Sequence, residues 1–122
     1  MYKDWPKIAT DMSALTKQLR GAEGTPEVMK AFSAMAAAAT GAKALDTKTK
    51  ELIALGIAVA VRCDPCITFH VESCRKHGAT REEIMETVGM AIYMGAGPSV
   101  MYAAQAVEAY DQYVAKAGEP KE

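Results

Sequence analysis

The sequence has no charge excess of either sign, with 14 Lys and Arg against 15 Asp and Glu. A chain this close to neutral has no surplus to neutralise phosphates, so nucleic acid is not an expected partner. Low-complexity tracts are missing and glycine–proline clusters are few, which argues against disorder. The opening MYKDWPKIATDM has no apolar stretch of the secretory kind. The longest apolar run, LIALGIAVAV at residues 52 to 61, is about half of the roughly 20 residues that a membrane span needs, so no membrane partner is expected. No segment sustains apolar–polar alternation, so none reads as a strand. Cysteine and histidine are scarce, three and two residues. All of them lie in RCDPCITFHVESCRKHG, residues 62 to 78. Few thiols and no secretory signal lead to the expectation of a reducing, cytoplasmic setting.

What is present is helix punctuation. At 122 residues, a single domain over 1–122 with a real core is expected. The first helix is expected from about Pro6 to Arg20, stopping at Gly21. Thr25-Pro26 supplies a cap and a first-turn proline for a second helix, which runs through AFSAMAAAAT to Gly41. A third begins near Asp46 and carries the apolar run. Asp64-Pro65 repeats the cap-plus-proline signal, for a helix ending at Gly78. TREE, Thr80 to Glu83, is a capping box that opens a fifth helix through Ile92. A sixth follows GAGP, from about Ser99 to Ala115. The fold class expected is an all-α bundle of about six helices with a central helical hairpin.

Residues 52 to 61 are apolar around the whole helix, which a small protomer rarely covers on every side. Ala36 to Ala39 and the glycines at 89, 95 and 97 would allow close helix contacts. A homo-oligomer is therefore expected. Met85, Met90, Met94 and Met101 read as core or oligomer packing.

Within the cysteine–histidine stretch, Cys63 precedes the expected helix and Cys66 falls in its first turn. Unpaired N–H groups and the helix dipole favour a thiolate there, and the thiolate is the reactive form. A spacing of three also permits a disulfide. His70 lies one turn beyond Cys66 on the same face and can accept a proton near neutral pH. Twelve residues of unbroken helix would hold Glu51 about 18 Å from Cys63. The break at Cys63–Pro65 implies a reversal instead, which brings Glu51 level with His70 and Cys74. Cys74 reads as a core or interface residue, and His77 beside Gly78 suits a helix C-terminus.

The series Glu51, Cys63-Asp64-Pro65-Cys66, His70 matches E-x11-C-x2-C-x3-H. It resembles the active-site signature of the alkylhydroperoxidase D-like branch of the carboxymuconolactone decarboxylase family. HGATREEIMETVGMAIYMGAGPSVMYA resembles that family's continuation, and the likeness covers about residues 26 to 110. The resemblance implies an all-helical trimer or hexamer with no bound cofactor beyond a redox-active Cys63–Cys66 disulfide. It implies Cys66 as the attacking thiolate, Cys63 as its disulfide partner, and His70 and Glu51 as proton relay. The implied substrate is a disulfide or peroxide, such as a lipoyl-type disulfide, a peroxiredoxin partner or a small peroxide. This chain departs from alkylhydroperoxidase D in length, and in carrying Pro65 where that enzyme has a second histidine.

Other readings stay open at this level. A metal could be held by the five sulfur and imidazole groups, although Cys63 and His77 would lie roughly 21 Å apart on a straight helix. A decarboxylase-like lyase, which in this family works without the thiol pair, and a non-catalytic helical assembly protein are the remaining alternatives.

Overall fold

The computed structural model describes residues 1–118. It has five helices: α1 (Trp5–Arg20), α2 (Pro26–Thr40), α3 (Thr47–Val61), α4 (Asp64–Lys76) and α5 (Arg81–Ala117). No strand occurs among the described residues, so the all-helical class expected from the sequence is the observed one. None of these helices is long and apolar enough to cross a membrane.

Local caps set most of the boundaries. The Asp4 carboxylate accepts the Lys7 amide at 3.1 Å, and that of Asp46 accepts the Thr49 amide at 2.7 Å. The TREE capping box closes in both directions, Glu83 N to Thr80 Oγ1 at 3.1 Å and Thr80 N to Glu83 Oε1 at 2.9 Å. Two caps differ from expectation. Thr25 makes no side-chain cap bond to α2; its amide instead donates to the Leu19 carbonyl at 2.7 Å, closing the α1–α2 turn. At α4 the cap is Cys63 rather than Asp64, its sulfur accepting the Cys66 amide at 3.2 Å. Asp64 is already helical and turns to Lys3.

The expected fifth and sixth helices form one run of 37 residues, α5. GAGP breaks it at a single residue, Ala96, with φ 55° and ψ −140°. Pro98 has no N–H to return to the preceding turn, and Ala96 takes up the misfit before helical geometry resumes. A side chain at Gly95 would put Cβ 2.0 Å from Ser99 Oγ, so the bend requires glycine there. Gly89 and Gly97, expected at close helix contacts, have open space where a Cβ would stand. The close α3–α5 approach is at Gly56, 3.7 Å from Thr87 Cγ2.

α3, α4 and α5 share the core. Leu55 and Val59 of α3, Ile67, Val71 and Cys74 of α4, and Ile84 of α5 are all fully buried. Each large aliphatic side chain so buried stabilises the fold by roughly 1.5–3 kcal/mol. Trp5 anchors α1 from the other side. It is fully buried, its indole N–H donates to Glu108 at 2.8 Å, and its carbonyl accepts the Thr68 hydroxyl at 2.8 Å.

The central hairpin is present. Arg62 takes the left-handed conformation (φ 60°, ψ 49°), and the Cys63 amide returns to the Ala58 carbonyl at 3.2 Å. This ends α3 and lays α4 back along it.

Much of the apolar surface stays uncovered in one protomer. No residue of α2 is buried. Phe32 is 53% exposed, Ile57 of α3 57% and Met90 of α5 61%. Met85, Met94 and Met101 are exposed too, which removes the core half of the expectation for the four methionines.

Candidate active site

The α3–α4 hairpin gathers the sulfur and the titratable groups. Cys63 and Cys66 are joined by a disulfide, with Cα atoms 5.2 Å apart. The two sulfurs have different surroundings. That of Cys63 is held at the helix N-terminus by the Cys66 amide. Cys66 instead lines a small cavity of about 220 Å³ with His70, Ala54, Ile57, Ala58 and Val61. Only Cys66 and His70 bring polar chemistry to that apolar chamber.

His70 is tied to Glu51 by a hydrogen bond of 2.7 Å between Nδ1 and Oε1. A carboxylate at Glu51 accepts the Nδ1 proton and leaves Nε2 as the basic ring atom. The side chain of His70 is 35% exposed and that of Glu51 8%. The carboxylate therefore has a dry seat inside the hairpin, while the imidazole reaches the cavity. Reversal of the chain at Arg62 creates this pairing across 19 residues, as the sequence argument requires.

Cys74 lies behind this dyad, fully buried and unbonded. Burial, then the charge of Glu51, pushes its thiol up to about 12. It is thus a protonated core residue over the whole physiological range. In the reduced native protein, iodoacetamide at pH 8 is expected to label two cysteines per chain. The third should react only after unfolding, and mass spectrometry reads the difference directly. His77 caps α4, its Nδ1–H donating to the Ser73 carbonyl at 2.8 Å. Among the described residues, no three His, Cys, Asp or Glu side chains converge as a metal site would need.

One neighbour of the cysteines has no counterpart in the sequence argument. Lys3 Nζ reaches the Asp64 carboxylate at 2.5 Å, across 61 positions. Nothing local in MYKDW signals that contact.

The family model for the carboxymuconolactone decarboxylase family matches residues 26–109, which include Glu51, both bonded cysteines and His70. The chain belongs to the carboxymuconolactone decarboxylase family. A family protein from Legionella pneumophila has a crystal structure that superposes with TM-score 0.85 at 50% identity, covering 89% of this chain and 96% of that one. One from Thermotoga maritima, described with a suggested part in antioxidative response, gives TM-score 0.70 at 31% identity over 74% and 93%. An uncharacterised protein of Cupriavidus necator is 39% identical over 106 residues, covering 85% of this chain and 93% of that protein. This family member thus shares the helical fold of solved relatives, together with a bonded Cys-x-x-Cys pair at the head of α4.

Proposed function

We propose that the protein is a thiol–disulfide oxidoreductase of the alkylhydroperoxidase D-like kind, which reduces a disulfide or a peroxide with its Cys63–Cys66 dithiol. The observation that carries this reading is the disulfide at the mouth of a cavity holding a Glu51-oriented His70.

In the reduced protein His70 accepts the Cys66 proton, and the thiolate attacks. With a disulfide, a Cys66 mixed disulfide forms and one substrate thiolate leaves. Cys63 then attacks the Cys66 sulfur, and the second substrate thiolate leaves. With a hydroperoxide, the O–O bond breaks, Cys66 becomes a sulfenic acid and the alkoxide takes up a proton. Cys63 then displaces water from that sulfur. Either route oxidises the dithiol by two electrons, and an external dithiol restores it. During restoration the reductant meets Cys66 from the cavity. Cys63 leaves as a thiolate, accepting the Cys66 amide. The hairpin thus supports Cys66 as the attacked and attacking sulfur and Cys63 as its leaving group.

Turnover assays of the reduced protein test this reading. One equivalent of a small disulfide or hydroperoxide should be consumed per chain, with formation of the 63–66 disulfide in step. Consumption without that disulfide would remove the cysteine pair from the reaction. A resting dithiol of this kind suits a reducing compartment such as the cytoplasm.

The protein is further proposed to act as a homo-oligomer, trimeric or hexameric as the resemblance implies. A helix draws most of its stability from packing an apolar face, yet no residue of α2 is buried and Val28, Phe32 and Met35 stand in solvent. A second copy is the occupant that would cover them. Nearby, α3 and α5 form an apolar groove of about 390 Å³, lined by Leu52, Ile53, Ile57, Met90 and Met94 among others. Light scattering of the purified protein should give a multiple of 13.0 kDa. Phe32→Asp should shift the particle toward one chain. A wild-type mass of 13.0 kDa would contradict the assembly.

A further inference from the structure

The residues between the two cysteines are Asp64 and Pro65, and an aspartate there is an odd neighbour for a thiolate. Its carboxylate opposes the ionisation of the adjacent Cys63, whose sulfur must carry negative charge each time the disulfide opens. The fold answers this with a lysine from the far end of the chain. Lys3 Nζ is 2.5 Å from Asp64 Oδ2 and 2.7 Å from Gln105 Oε1. It also stands over three aromatic rings, with centroids 5.4 Å (Tyr2), 5.5 Å (Trp5) and 5.9 Å (Tyr102) away.

The backbone at Lys3 is held as firmly as its side chain. Its amide donates to Glu108 at 3.0 Å, and its carbonyl accepts the Gln112 amide at 2.7 Å. Fully buried Trp5 pins the segment two residues on. Lys3 is therefore a fixed charge rather than a wandering surface lysine. Burial pulls its pKa down, but the hydrogen bond and the charge of Asp64 outweigh this and raise it above the ordinary lysine value.

We propose that Lys3 is a positioning residue for the dithiol: it holds and neutralises the Asp64 carboxylate, so that the Cys63 thiolate released on reduction is not opposed by a bare negative charge. The proposal rests on the redox reading above. The step concerned is exchange with an external dithiol. Two reductant thiols lose two electrons and form a disulfide, the Cys63–Cys66 bond takes up those electrons, and Cys63 leaves as a thiolate. The other charges at this end of the hairpin are Arg62 at the turn, the His70–Glu51 pair farther along, and Glu108. Arg62, Glu51 and His70 are untouched by the variants below. Burial opposes ionisation of Glu108, but hydrogen bonds from Tyr2, Lys3 and Trp5 outweigh it and hold its pKa below the ordinary value.

The test equilibrates the full chain with dithiothreitol, quenches with an alkylating agent and counts free thiols by intact mass. Lys3→Met leaves Asp64 unpaired and should shift the equilibrium three- to tenfold toward the disulfide; tenfold corresponds to about 30 mV for two electrons. Lys3→Arg keeps the charge and should stay within about twofold of wild type. Asp64→Asn, with Lys3 intact, should shift it toward the dithiol. The double variant should return to within about twofold of wild type, because both charges are gone. A Lys3 that only ties down the N-terminal segment predicts a lower unfolding midpoint for Lys3→Met and no change in the thiol equilibrium, which would overturn the proposal. If Lys3→Met does not fold, Asp64→Asn decides alone, and no shift there would overturn it equally. A wild-type disulfide that does not reduce reversibly would instead sink the redox reading beneath it.

Discussion

Serine in place of Cys66 is expected to abolish reduction of disulfides and peroxides, by at least about 10³-fold. Cys66 is the sulfur in the cavity with His70, so its loss removes the nucleophile and leaves nothing of comparable reactivity within reach. Cys74 cannot substitute, being fully buried with its pKa pushed up to about 12. Cys63→Ser has a different expected outcome. Attack still occurs, one equivalent of leaving thiol is released, and the chain stops as a stable adduct on Cys66. Rapid-quench mass spectrometry separates the two variants, since only Cys63→Ser should gain the mass of half the substrate. If the adduct formed on Cys63 in Cys66→Ser instead, the order of attack argued from the two sulfur environments would be reversed.

His70→Ala is the second large effect. A positioned general base is worth about 10²–10⁴ in rate, and the deficit should be greatest near neutral pH. It should shrink as pH rises through about 8.5, where an ordinary cysteine ionises without help. The variant also strands the Glu51 carboxylate, whose side chain is only 8% exposed. A buried acceptor without its partner costs roughly 1–3 kcal/mol, so the unfolding midpoint in urea should fall as well. Glu51→Gln has the milder expected effect, about tenfold in rate. Its amide oxygen can still accept from Nδ1 and orient the ring, but it no longer balances the imidazolium charge. The double variant should be no slower than His70→Ala, because Glu51 acts only through the ring. Rate losses that multiplied would mean that the two residues act separately. Full activity in both single variants would remove the relay.

The parts of the fold legible in the sequence are those set by local chemistry. Asp4, Asp46 and the Thr80–Glu83 box mark helix starts because their bonds span three residues. The Glu51–His70 contact was also legible, because a break at Cys63–Pro65 and a reversal fix the register of the hairpin. Three features were not. Asp64 is the better cap by residue type, yet the bonded sulfur of Cys63 takes that role. GAGP carries every mark of a helix end. The misfit is nevertheless absorbed at Ala96 alone, and the chain continues as α5. Lys3 reaches Asp64 only because Trp5, Glu108 and Gln112 dock the N-terminal segment, and no spacing rule covers residues so far apart. The apolar run of α3 was read as buried, but Ile53, Ile57 and Val61 are largely exposed in the protomer. What covers a helix face is a property of neighbouring surfaces, and one chain's periodicity does not contain it.

The central claim is that Cys63 and Cys66 form a working redox pair. Mild oxidation followed by blocking of free thiols, then digestion with trypsin and chymotrypsin, isolates residues 63–69 from Cys74. The account predicts that this fragment loses two hydrogens on oxidation and regains them with a dithiol reductant, while Cys74 stays unmodified. Cys63 and Cys66 that remain reduced and unreactive in the folded protein would contradict it.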